Sequence, residues 1–414
     1  MVKSKIRKTK RKYLTKKNLT KRNLSKKNLT KKNLSKKNLS KLTKLPARKK
    51  SVHFLGGLGF NDQSLDDQSQ SGEAPFPEPE HNGLVEGLEE GGRKTRKHKR
   101  KFKKLLCSPA KKNNIGSSCY SSSELAVIKN AFNKHHNQST KDREKKIVAK
   151  DPEHILRELR EKNAHCTTEM CWLHAVDNKD LRDKIQKEAF RPLQPAEWKK
   201  KPDAWLSNYD IDAVIQQYEA AYPDFVFLGP TPIDFDTKKA DGKCVTEEIC
   251  GFSLAKEWSK GKRKIGVIYN LDTSEGPGTH WVSMFIDMAD PEPYMFYFNS
   301  TAEPMPSEVR DLMDRIQEQW ASLPLHKGSS HKDGKNKKLI EYTSDDKVEH
   351  QYSNTECGMY SLFFIITCLT RKVGGFKTLG SGLSREKIIE MFAGKTRIPD
   401  RYMLKFRNLY FVKV

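Results

Sequence analysis

From Gly358 to Leu369 the chain reads Gly-Met-Tyr-Ser-Leu-Phe-Phe-Ile-Ile-Thr-Cys-Leu, an almost unbroken apolar run that has to be buried on every side. The span from Thr355 to the Gly374-Gly375 pair is too long for a strand, so the run is predicted to be the central helix of the fold. Ser353, Asn354 and Thr355 are N-cap formers and the glycine pair is a terminator, which puts Cys357 in the first turn. Unpaired N–H groups and the positive end of the helix dipole favour a thiolate there, so the thiol is expected to titrate below its free value of about 8.5. A cysteine so placed is a candidate nucleophile. A buried cysteine in an apolar helix can equally be plain core packing, so its company has to decide.

That company lies upstream. Gly278-Thr279-His280-Trp281 opens an alternating run, Val282-Ser-Met-Phe-Ile-Asp287, and Tyr294-Met-Phe-Tyr-Phe-Asn299 forms a second strand pattern that ends in an amide. A base at the start of one strand and a polar group at the end of its neighbour can lie side by side. A thiol needs an imidazole to take its proton, and the imidazole needs a third group to fix its tautomer. Gln351, six residues before Cys357, can offer an amide donor to an oxyanion.

The order His280-Trp281, Asn299 after an aromatic strand, Gln351 and Cys357-Gly358 resembles the cysteine protease family of SUMO-specific proteases and adenovirus endopeptidase. It is most similar to the asfarvirus-type polyprotein-processing branch of large DNA viruses. The resemblance covers roughly residues 200 to 410 and implies an α+β, papain-like fold run in permuted order, a central buried helix packed on a mixed sheet. It implies His280 as general base, Asn299 as orienter, Gln351 as oxyanion donor and Cys357 as nucleophile. Cellular members carry Asp where this chain has Asn299, so the chain departs from them and agrees with the viral branch. It also implies that Trp205 and Trp281 flank a narrow substrate channel. Such a channel admits residues without side chains, a physical reason for Gly-Gly specificity.

Charge divides the 414 residues sharply. Residues 1–50 hold 22 Lys or Arg and no acid, residues 51–92 hold nine acids and no base, and residues 93–112 hold 11 bases and no acid. Net +24 of the total +26 therefore precedes residue 113, and the remainder is nearly neutral. Within the tail a five-residue repeat runs from Lys16-Lys17-Asn18-Leu19-Thr20 to Ser40; its leucines drift around a helix without forming a stripe, so disorder is expected. Such a tail can bind nucleic acid non-specifically by counterion release, or serve only solubility or localisation. Gln63 to Gly92 reads as a flexible acidic linker, with Gly56-Gly57 and Gly91-Gly92 as exposed pairs.

The expected domains are a basic disordered repeat tail at 1–50, an acidic then basic linker at 51–106, a helical module at 107–195 and the protease domain at 196–414. In the module, Leu125, Ile128, Ala131 and Phe132 fit one helix face capped by Ser121, Ser122 or Ser123, and Pro152 to Lys162 fits a second helix. Cys166, Cys171 and His174 have an unusual spacing for zinc and no second pair, so no metal or cofactor is expected. In the protease domain, Trp205 precedes a capped helix through Tyr218, strands are expected at Phe225–Leu228, Lys264–Tyr269, Leu339–Tyr342 and Lys347–Gln351, a basic loop at 327–338, and an apolar C-terminus that docks. Eight cysteines without a disulfide framework, a signal peptide or an apolar run of ~18 residues suggest free thiols in a reducing compartment and no membrane span.

Three functions follow as expectations. The first is a thiol endopeptidase cutting viral structural polyproteins after Gly-Gly during virion maturation, in host cytoplasm and virion. The second is an isopeptidase removing a SUMO-like modifier. The third is an inactive nucleic-acid-binding virion protein, against which the intact set of four site residues argues.

Overall fold

A computed structural model describes residues 102–137, 145–326, 338–376 and 382–413. The basic tail, the acidic linker, both early Gly-Gly pairs and nearly all of the loop expected at 327–338 lie outside them.

The first helices pack around their own apolar cluster. Helix α1 (Ser122–His135) starts at a capping box in which the Ser121 and Glu124 side chains satisfy each other's backbone N–H. Helix α2 (Pro152–Lys162) is capped by Asp151 and α3 (Lys179–Ala189) by Asn178. Leu125, Ile128, Phe132, Leu159, Trp172 and Phe190 fill the space between them. Val412, from the far end of the chain, joins this cluster, held by its N–H to Pro192 O at 2.7 Å and by Gln194 N–H to its own carbonyl at 3.0 Å.

Helix α4 (Asn208–Ala221) follows, with a second capping box between Ser207 and Asp210. Strands β1 (Phe225–Phe227), β2 (Thr231–Pro232), β3 (Lys264–Asn270), β4 (Trp281–Asp287), β5 (Tyr294–Phe298) and β6 (Ile340–Thr343) make one mixed sheet in the order β1-β3-β4-β5-β6, with β2 also paired to β3. The β3–β4 and β4–β5 pairs are antiparallel and the other pairs parallel. Side-chain alternation sends Phe285, Phe296 and Phe298 to one face and Val267, Met284 and Tyr297 to the other.

Helix α5 (Ser307–Ala321) covers the second face through Val309, Leu312, Met313, Ile316 and Trp320. The first face carries α6 (Cys357–Thr370), buried along nearly its whole length, with α7 (Arg385–Ala393) and α8 (Asp400–Tyr410) packed behind it. The expected α+β architecture, a buried helix on a mixed sheet, is what forms. Gly266 lets β3 lie close beneath this layer: a Cβ there would come within 2.9 Å of the Phe225 ring and 3.4 Å of Ile365 Cδ1.

Several details differ from expectation. The cap of α6 is Glu356, whose side chain makes no capping hydrogen bond; Ser353, Asn354 and Thr355 lie in an irregular loop that is held by partners elsewhere. The helix stops at Thr370, where Arg371 takes a left-handed conformation (φ 56°), one turn before Gly374. Residues 347–351 are not a strand, because His350 and Gln351 both donate to the single carbonyl of Ser300 instead of forming a ladder. Six cysteines also pair where free thiols were expected: Cys107–Cys119, Cys166–Cys171 and Cys244–Cys250, with Cα separations of 5.1, 5.6 and 6.3 Å. Sequence separations of 12, 5 and 6 bring each pair together through local turns, within reach of a disulfide. Cys357 and Cys368 are the free thiols among the described residues.

Candidate active site

Cys357 is the first residue of α6, and the backbone N–H groups of Trp281, Gly358 and Cys357 itself act on its thiol. Trp281 immediately follows His280, so the thiol sits where β4 begins. Gly358 makes this approach possible: a Cβ on it would lie 3.1 Å from Leu206 and 3.3 Å from Trp281. The N–H groups favour the thiolate, but burial outweighs them and pushes the Cys357 thiol above its ordinary value, with the Glu356 carboxylate adding to the rise. The expectation of a thiol titrating well below its free value is thereby corrected. A helix start lowers a thiol's pKa only as far as solvent loss allows.

His280 and Asn299 meet across the ends of β4 and β5, with Nε2 and Oδ1 2.8 Å apart. Asn299 Oδ1 also accepts from the Thr301 N–H at 3.1 Å, which fixes the amide's orientation, so the imidazole must carry its proton on Nε2. Nδ1 is then the ring's acceptor. Burial pushes the His280 pKa below the usual histidine value, against the Asn299 hydrogen bond and the charge of Glu303. A neutral ring is the form that can accept a proton.

Gln351 is buried before the helix. Its Oε1 accepts from Ser300 Oγ at 2.8 Å and its Nε2 donates to Ser353 O at 2.6 Å. One of its two amide hydrogens is thereby spoken for, and the other remains. Trp205 is 39% exposed and donates from Nε1 to Asn354 O at 2.7 Å; Trp281 is 6% exposed and donates to Leu206 O at 3.2 Å. Both indoles line one cleft of about 600 Å³, together with Pro230, Asn270 and Gly278.

Cys166 and Cys171 lie far along the chain in the first cluster, joined to each other, with His165 rather than His174 as the nearby imidazole. While bonded, neither sulfur is a thiolate ligand.

Sequence reasoning missed Glu356 and Arg407, a buried ion pair at 3.0 Å directly behind the nucleophile candidate. A signal was present: Arg407 falls between Phe406 and Leu409 on the otherwise apolar side of α8.

An α+β fold with a free, buried thiol at the start of its central helix, and an amide-oriented imidazole one residue before Trp281, is an arrangement that cysteine proteases use. The profile of the Ulp1 protease family, C-terminal catalytic domain, matches residues 243–398, a span holding His280, Asn299, Gln351 and Cys357. A cysteine protease of African swine fever virus is 30% identical over 212 residues, 50% of this chain and 67% of that protein. A putative thiol protease of Acanthamoeba polyphaga mimivirus is 24% identical over 276 residues, 64% of this chain and 84% of that protein. The crystal structure of the African swine fever virus protease superposes with a TM-score of 0.47 at 20% identity, over 76% of this chain and 98% of that one. The chain belongs to the Ulp1 family of cysteine proteases. No helix among the described residues is long and apolar enough to cross a membrane.

Proposed function

We propose that this cysteine protease is an endopeptidase that cuts viral structural polyproteins after Gly-Gly during virion maturation, with Cys357 as its nucleophile. The observation that carries the reading is the 2.8 Å bond from His280 to Asn299, in a chain whose Cys357 thiol is free at the start of α6. In this mechanism His280 Nδ1 takes the thiol proton as sulfur bonds to the scissile carbonyl carbon. The Cys357 N–H and the second Gln351 amide hydrogen meet the developing oxyanion. The proton then passes to the leaving amine, and water splits the thioester to return the thiol.

Specificity follows from the cleft walls. Trp205 and Trp281 both line the cleft, and in this reading the substrate backbone passes between them, where glycine, lacking a side chain, fits best. The test pairs a fluorogenic Gly-Gly peptide with its Ala-Ala counterpart and a full-length SUMO-like conjugate. Cleavage of the Gly-Gly peptide, with the Ala-Ala peptide resistant, is expected. Cleavage of the folded conjugate alone would replace the endopeptidase reading with the isopeptidase one.

A further inference from the structure

Arg407 lies on α8, beyond the span matched by the family profile, and is 2% exposed. Each of its five N–H groups has an acceptor. Nε donates to Glu356 Oε2 at 3.0 Å; Nη1 donates to the carbonyls of Ala204 at 2.7 Å and Pro202 at 3.5 Å; Nη2 donates to those of Asp203 and Thr355, both at 3.2 Å. The guanidinium also lies 4.5 Å from the centre of the Trp198 ring. These acceptors belong to two loops. One, 202–204, leads into Trp205; the other, 355–356, leads into Cys357. Trp205 closes the same seam on its outer side through Asn354.

We propose that Arg407 is the positioning residue of this site, clamping the loop that carries a cleft wall to the loop that carries the nucleophile and neutralising the carboxylate next to the thiol. The proposal rests on Cys357 being the nucleophile, but not on Gly-Gly specificity. A planar fork with five donors suits this task, because the acceptors approach from two loops; a lysine has three donors on one nitrogen and cannot span them. The charge has a second effect. Glu356 is 1% exposed and its carboxylate opposes ionisation of the adjacent thiol. The other charged groups facing this seam are Asp400 on α8 and Arg397 ahead of it, which pair with each other at 2.7 Å. Arg407 is therefore the cation that answers Glu356 directly.

The experiment measures kcat, KM and the pH dependence of iodoacetamide labelling of Cys357 in Arg407→Lys, Arg407→Gln and Glu356→Gln, each below its own melting temperature. Arg407→Lys is expected to lose kcat by about ten- to a hundredfold, with KM nearly unchanged, because misplacing the nucleophile costs turnover rather than binding. Arg407→Gln leaves the carboxylate unanswered, so labelling should need higher pH than in the wild type. Glu356→Gln keeps an acceptor for Nε and removes the charge, so labelling should begin at lower pH. Opposite shifts support the clamp. Wild-type kcat in Arg407→Lys, or shifts of the same sign in the two Gln variants, would overturn it. Should the Arg407 variants fail to fold, the Glu356→Gln profile decides alone, an unchanged profile counting against the proposal. A Cys357→Ala control that retains turnover would refute the nucleophile assignment instead, which keeps the two failures apart.

Discussion

Burial works against ionisation of the Cys357 thiol, and this sets how the site should respond to pH. Cys357 is raised and His280 lowered by loss of solvent, so at neutral pH the resting pair is a thiol and a neutral imidazole. Iodoacetamide labelling of Cys357 should therefore still be climbing above the free thiol value of about 8.5. A plateau reached already below neutrality would mean a preformed thiolate. Cys368, fully buried in the same helix, should stay unlabelled in the native protein. On the acid side activity fails when His280 binds a proton, and since burial lowers that pKa, the fall should come below the usual histidine value of about 6.5. Asn299 offers only an uncharged acceptor, so Asn299→Ala should retain turnover reduced about a hundredfold, while Cys357→Ala should show none. Complete loss in both would show that Asn299 does more than orient. The candidate thiol, imidazole and Asn299 amide could be proposed from the sequence because each sits where an apolar run begins or ends, and their roles and that of Gln351 came with the family resemblance. Glu356 and Arg407 were not legible there, because they are 51 residues apart and only folding reveals that one answers the other.

The same contrast separates the strands and helices. Strands β3, β4 and β5 were readable from short apolar runs bounded by turn residues, and α1, α2 and α4 from capping residues ahead of an apolar face. Helix α5 escaped notice although Val309, Leu312, Met313, Ile316 and Trp320 repeat at helical spacing. The segment at 347–351 looked like a strand, but its two donors converge on Ser300 O, and no local pattern reveals where a hydrogen bond goes. Gly266 carries a packing role that its sequence neighbourhood conceals. Gly266→Ala would drive a methyl to 2.9 Å from the Phe225 ring, and this overpacking should destabilise the fold by about 1–3 kcal/mol. Ser207→Ala removes the hydroxyl of the α4 capping box and should cost about 1 kcal/mol. Denaturant titration checks both, and a Gly266→Ala protein as stable as the wild type would mean that Phe225 can move aside freely.

Charge and chemistry occupy different parts of the chain, and that separation is itself a testable property. Net +24 of +26 lies before residue 113, whereas Trp205, His280, Trp281, Asn299, Gln351 and Cys357 all lie after it. We propose that the tail, rather than the remainder, holds nucleic acid, because neutralising six to ten phosphates already gives an affinity that falls about 10³- to 10⁵-fold between 50 and 200 mM salt. A chain beginning at Cys107 should cut a short Gly-Gly peptide as fast as the full chain does, and bind DNA far more weakly. Gly91-Gly92, immediately before Arg93, also has the sequence that the cleft is proposed to accept. Cleavage there in trans would shed the repeat and the acidic linker, leaving the second basic run on the enzyme. Intact mass after incubation, compared between wild type and Cys357→Ala, reads this directly: a fragment starting at Arg93 should appear in the wild type alone. A wild-type chain that stays at full length would end the self-processing idea, and a truncated chain that binds DNA as tightly as the full one at every salt concentration would end the tail's proposed role.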